Sequence, residues 1–114
     1  MAKLAPDRST VAYISAPYSA TEENPSVEHN IQRAWKVAYK YWQMGYTVLC
    51  PHTNSYHMDA SASYAEVLKG YLELLRRCDV VVMLPNWTKS KGAREEHALA
   101  LKLKMPIIYE RRGT

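Results

Sequence analysis

Apolar and polar positions along this chain fall into blocks of two different periods. Residues 11–15, "VAYIS", are a short apolar, β-rich run ended by "APYSA", which predicts a buried strand and then a loop. The polar stretch "SATEENPSVEHN" breaks the pattern, and Asn24 with Pro25 predicts a helix cap and first turn. Over 27–44 the period becomes helical. Val27, Ile31, Ala34, Trp35, Ala38, Tyr41 and Trp42 share one face, while Gln32, Arg33, Lys36 and Lys40 lie elsewhere. Gly45 supplies a C-terminal stop. "YTVLCP", 46–51, predicts a second strand, and 51–63 a loop of the length that carries function in compact domains. A second helix is predicted over 64–78, with Tyr64, Ala65, Leu68, Tyr71, Leu72 and Leu75 inward. "DVVVMLP", 79–85, is continuously apolar, as a central parallel strand is. A third helix over 92–104 and a last strand over 106–109 complete the pattern.

The order is therefore βαβαβαβ. Alternating elements with continuously apolar strands imply an α/β fold with a parallel sheet covered on both faces and right-handed crossovers. At 114 residues, a single domain spanning 1–114 is expected. Such sheets bind ligands beyond the carboxyl ends of their strands, where strand order reverses. Three loops converge there: 15–26, 51–63 and 85–92.

Composition narrows the function classes. Hydrophobic residues make up 47% and charged residues 23%, ordinary for a globular domain, and no apolar run is long enough to span a bilayer. "MAKLAPDRST" lacks the apolar core of a secretory signal, so a cytoplasmic protein is expected. Cys50 and Cys78 adjoin apolar strands and are expected as reduced thiols, without zinc-ligand spacing. The net charge of +4 suits a phosphate-bearing small molecule, but Lys and Arg are scattered and form no basic block, so no nucleic-acid polymer is expected as partner. The dinucleotide glycine fingerprint and the GKS/T phosphate loop are both missing, which excludes a Rossmann dehydrogenase and a P-loop ATPase; no cofactor is expected. His52 and His57 share a loop, but no third ligand stands at a metal-binding spacing, so no metal is expected. Asp79, opening a strand, is read as structural.

On a helical wheel over 92–103, Gly92, Ala93, Glu96, Leu99, Ala100 and Leu103 share one face. Glu96 is the only charge on that face; Glu95 lies about 100° away, towards Lys102, on the solvated side. A carboxylate on an inner face is costly unless it is paired or used. The preceding "KSKG" places Ser90, Lys91 and Gly92 where backbone N–H groups, a hydroxyl and a cation can hold a phosphate, although Ser90 also reads as a plain N-cap. The first loop offers Ser15 and Ser19 in the same way. Tyr13 and Trp87, at strand ends, read either as flanks for a base or as core packing.

Three stretches, "YISAPYS", "NIQRAWKVAYKYWQMGYTVLCPH" and "CDVVVMLPNWTKSKGAREEHALALKLKMPIIY", resemble the nucleoside 2-deoxyribosyltransferase-like superfamily, in particular a small branch found in phages and bacteria. The resemblance extends from about Tyr13 to Tyr109, and its Ser-x-Gly-x-x-x-Glu core is specific in that setting. It implies that Glu96, four residues after Gly92, is the nucleophile, the same residue the wheel singles out. It implies further that Ser90 contacts phosphate, as in members that hydrolyse 2′-deoxynucleoside 5′-phosphates, that Tyr13 stands near the reaction centre, and that Ser15, Ala16, Tyr18 and Ser19 contact sugar or phosphate. The chain departs from the family pattern at three places. Tyr71 occupies the position of an Asp that supports the carboxylate or the leaving base. Ala16 and Asn86 stand where glycines are usual.

These readings combine into one expectation. The fold is a doubly wound, Rossmann-like or flavodoxin-like three-layer α/β domain with sheet order 2-1-3-4. The chain cleaves or transfers the N-glycosidic bond of a nucleoside or nucleoside 5′-monophosphate. Glu96 and Tyr13 are catalytic, Ser15, Ala16, Tyr18, Ser19, Ser90, Lys91 and Gly92 bind sugar or phosphate, and His52 and Trp87 line the base pocket. The resemblance also implies a homo-oligomer. The alternatives are a nucleotide-binding module without turnover, favoured by Tyr71, and a glycohydrolase acting on NAD or a related ADP-ribose compound.

Overall fold

A computed structural model describes residues 7–17, 26–54 and 64–111, with the side chains of Asn54 and Tyr64 outside that set. Four strands, β1 (Val11–Ser15), β2 (Thr47–Leu49), β3 (Val80–Met83) and β4 (Ile107–Tyr109), form one sheet in the order β2-β1-β3-β4. All three pairings are parallel, with Tyr13 opposite both Leu49 and Val81, and Val82 opposite Ile108. The expected strand order is thus the observed one. The helices are α1 (Val27–Met44), α2 (Pro51–Asn54), α3 (Tyr64–Arg76) and α4 (Lys91–Lys102), with a 3₁₀ turn at Trp87–Lys89.

Strand alternation divides the core. Ala12, Ile14, Val80, Val82 and Leu84 pack with Ala34, Val37, Ala38 and Tyr41 of α1. The opposite parity, Tyr13, Val81 and Met83, packs with Leu75 of α3 and with Ala93 and Ala100 of α4. Every one of these strand residues is at most 2% exposed, as the two-face burial of a parallel sheet requires. Asp79 fastens the lower end of the sheet: its Oδ2 accepts from the Val11 N–H at 2.8 Å, and its own N–H donates to the Val11 carbonyl at 2.9 Å. Its structural reading holds. No helix among the described residues is long and apolar enough to cross a membrane.

Several local readings change. Helix α1 begins at Ser26, whose hydroxyl accepts from the His29 N–H at 3.1 Å; Asn24 and Pro25 lie outside the described residues. Its buried stripe contains Asn30 and Val37, while Trp35 and Trp42, expected inside, are 53% and 42% exposed. The small Ala34 and Ala38 take the line of contact with the sheet, and the indoles stand on its flank. The expected loop after β2 opens with the short helix α2. Ala65 and Leu103 are exposed rather than inward, Leu103 because α4 has already ended beside it. Cys50 is buried, Cys78 half-buried, and both are free thiols.

Gly45 does end α1, with φ 109°, and its N–H donates to the Trp42 carbonyl at 3.1 Å. An L side chain is strained there. Gly45→Ala should cost about 1–2 kcal/mol, read as a lowered midpoint in urea unfolding with an unchanged slope.

Candidate active site

Glu96 sits in the second turn of α4, on the face packed against the sheet, and is only 8% exposed. β1 approaches it with two hydroxyls. Tyr13 Oη donates to Glu96 Oε2 at 2.5 Å, and Ser15 Oγ donates to Oε1 at 2.6 Å. Tyr13 and Ser15 are two residues apart on one strand, so the pleat points both side chains to the same face. They are 0% and 1% exposed, so the carboxylate is clamped by donors that have no competing water of their own.

The electrostatics follow from this burial. Loss of solvent pushes the Glu96 carboxyl above the ordinary carboxylate range; the Ser15 and Tyr13 hydrogen bonds hold it down, and the neighbouring Glu95 charge raises it further. Burial first, and Glu96 second, drive the Tyr13 phenol far above its usual value, so Tyr13 remains a neutral donor throughout the working range of pH. Ser15→Ala removes a charge-assisted bond worth about 1.5–3 kcal/mol to the ionised form. The Glu96 titration midpoint, followed by NMR on ¹³C-labelled glutamate carboxyls, should move to higher pH.

The site lies at the switch point of the sheet. The chain leaves β1 towards β2 on one side and returns to β3 on the other, and the Leu84 N–H donates to the Ser15 carbonyl at 2.9 Å just above both strand ends. Ser90 caps α4: its hydroxyl accepts from the Ala93 N–H at 3.2 Å, the plain cap that the sequence left open. Its O–H can still donate while the oxygen accepts. Lys91 is exposed and Gly92 buried in the first turn. Before them Asn86 adopts φ 71°, left-handed backbone that Asn tolerates better than most residues, which accounts for a position where glycine is usual.

The other expected site residues have contacts of their own. His52 is buried, and its Nε2–H donates to the Pro17 carbonyl at 2.9 Å, so it props the loop after β1; burial pushes its pKa down. Ala16 is 6% exposed and belongs to the core on the α1 side. Trp87 stacks on His97 with ring centroids 4.0 Å apart, and Tyr109 stands 6.3 Å from the indole. Tyr18, Ser19 and His57 lie outside the described residues. Ser15, expected from sequence as a substrate contact, donates to Glu96, a partnership that its shared parity with Tyr13 signals. Tyr71 packs into the core cluster that holds Tyr13, and its hydroxyl donates to the Pro51 carbonyl at 3.4 Å.

A family model described as a domain of unknown function (DUF4406) matches residues 11–109. The chain belongs to the DUF4406 family. Among solved structures, this DUF4406 chain is similar to a 2-deoxyribosyltransferase from Bacillus psychrosaccharolyticus, at 21% identity and a TM-score of 0.61 over 88% of this chain and 71% of that one. The likeness is one of fold, and at that level it agrees with the resemblance to the nucleoside 2-deoxyribosyltransferase-like superfamily. No curated protein matches this DUF4406 chain.

Proposed function

We propose that this protein cleaves or transfers the N-glycosidic bond of a nucleoside or nucleoside 5′-monophosphate. The observation that carries the proposal is a carboxylate buried at the switch point and clamped by two strand-borne hydroxyls. A surface charge needs no such cage; burying a carboxylate costs stability that the two hydroxyls offset only in part, a cost characteristic of functional sites. A solved structure of similar fold is a 2-deoxyribosyltransferase, which supports the same chemistry.

In this mechanism one Glu96 oxygen forms a bond to the anomeric carbon as the bond to the base breaks, giving a glycosyl-enzyme ester and the base, which leaves with the bonding electron pair and takes a proton from water. Water attacking the anomeric carbon breaks the bond to Glu96, loses a proton to solvent and yields the sugar with the carboxylate restored; a second base attacking the same carbon yields a new nucleoside. Tyr13 and Ser15 fix the carboxylate and keep its second oxygen bonded while the first reacts. Ser90, Lys91 and the first-turn amides of α4 hold the phosphate or sugar hydroxyls. Trp87 borders the base. A binding module without turnover is the second reading, favoured by Tyr71 at the position of the family's Asp and by the raised Glu96 pKa.

Incubation with a panel of nucleosides, 5′-monophosphates and NAD, followed by chromatography for free base, tests the proposal. Release from a nucleoside or monophosphate is expected. Release from NAD alone moves the substrate class to ADP-ribose compounds. Tight nucleotide binding with no release from any substrate would leave the module as the reading.

A further inference from the structure

The pairing between β1 and β2 ends short of Ser15. Tyr13 opposite Leu49 is the last pair of that ladder, and the chain then turns into α2. Ser15, whose hydroxyl holds Glu96 Oε1 at 2.6 Å, lies two residues beyond it. On the β3 side Ser15 is still secured, opposite Met83 and with its carbonyl accepting from the Leu84 N–H at 2.9 Å. On the β2 side a side chain takes over from the ladder. His52 Nε2 lies 2.9 Å from the Pro17 carbonyl. A carbonyl only accepts, so Nε2 carries the proton and donates. Pro17 is buried, and a buried carbonyl requires such a donor.

His52 is itself held in place. It stands in the single turn of α2, where the Thr53 N–H and hydroxyl both donate to the Cys50 carbonyl at 3.1 Å. From α3 the Tyr71 hydroxyl donates to the carbonyl of Pro51, the residue before it. Burial pushes the imidazole pKa down, so the ring is neutral at pH 7 and keeps one N–H for one carbonyl. A ring lining a base pocket would present that N–H to the ligand; here the backbone takes it.

We propose that His52 is a positioning residue for Glu96: its ring N–H fixes the Pro17 carbonyl, and the Ala16–Pro17 segment transmits that constraint to the Ser15 hydroxyl that holds the carboxylate. The segment is stiff. The pyrrolidine ring fixes φ at Pro17 and confines Ala16 to extended backbone. Ala16 is also packed into the core on the α1 side. A shift of Pro17 is therefore passed on to Ser15 rather than absorbed between them. The effect of His52 on turnover rests on the proposed glycosidic reaction; its effect on the carboxylate does not.

Two readouts on the full chain test this. The first is the Glu96 titration, followed by NMR on ¹³C-labelled glutamate carboxyls. His52→Leu should move the midpoint to higher pH, because a loosened Ser15 stabilises the anion less. His52→Gln, whose Nε2 keeps a donor near the same place, should restore it. In a Ser15→Ala background His52→Leu should add no further shift, as a residue acting through Ser15 requires. Val37→Ala, a core truncation on the α1 side, controls for lost stability and should leave the midpoint unchanged. The second readout is turnover on the panel compound from which the wild type releases base. In His52→Leu, kcat should fall roughly 10- to 100-fold with KM within a few-fold. An unmoved midpoint in His52→Leu overturns the proposal, as does a shift that persists in Ser15→Ala or that His52→Gln fails to restore. So does a raised KM at constant kcat, which marks a substrate contact. If the leucine variant does not fold, ¹⁵N NMR of the wild-type imidazole decides: the Nε2–H tautomer is expected, and the Nδ1–H tautomer overturns the proposal. A wild type that releases no base defeats the proposed reaction alone, and the titration then decides on His52.

Discussion

Glu96→Gln should abolish base release, lowering turnover roughly 10³-fold or more, and should leave nucleotide binding within a few-fold. Glutamine keeps the shape of the side chain and the bond from one hydroxyl; on the other side the hydroxyl turns to accept from the amide. What is lost is the anionic oxygen that forms the ester. Glu95→Gln, one residue earlier, should leave turnover within a few-fold, since it only removes a charge that repels Glu96. An unchanged rate in Glu96→Gln would remove Glu96 as nucleophile. The same variant should be more stable than the wild type at neutral pH. The folded-state pKa of Glu96 lies above its unfolded value, so its favourable contribution is full below the ordinary carboxylate range and is lost as pH rises through the folded pKa. The gain in melting temperature on Glu96→Gln should therefore be small in acid and grow towards neutrality.

The largest loss of stability is expected at Leu75→Ala. Leu75 is 0% exposed in α3 and packs in the cluster with Tyr13, Val81 and Met83. Truncation leaves a cavity costing about 2–5 kcal/mol, and at about 4 °C per kcal/mol for a chain of this size the melting temperature should fall by roughly 8–20 °C. Because the cavity opens into the cluster around Tyr13, turnover should also fall several-fold at temperatures where the variant is still folded. Leu101→Ala, 58% exposed on α4, is the contrast and should change stability by less than about 0.5 kcal/mol. A melting temperature unchanged by Leu75→Ala would show that the core does not depend on α3.

How much of this was legible in the sequence depends on how many faces an element buries. The order of elements was, because runs such as Val80–Met83 can be little else than buried parallel strands, while the strand order was expected only once the family resemblance was added. Glu96 was legible because α4 has one inner face and one charge on it. The inward direction of α1 was legible in part: Ile31, Ala34, Ala38 and Tyr41 are buried as expected, whereas Trp35 and Trp42 are exposed. Its wheel offers two apolar stripes, one of small residues that fits the sheet and one of aromatics that does not, and spacing alone cannot rank them. The role of His52 was hidden for a different reason: its partner is a backbone carbonyl 35 residues away, which leaves no mark in composition. Helix α2 is four residues long, too short to show a period.

The sheet's two outer strands are each three residues long. β2 runs between the turn at Gly45 and Pro51, and β4 begins directly after Pro106, which has no N–H to offer a neighbour. Long bare edges recruit strands from other chains and seed aggregates; clipped ones do not. Among the described residues the rims therefore offer only short templates, which disfavours sideways growth of the sheet when the protein is concentrated.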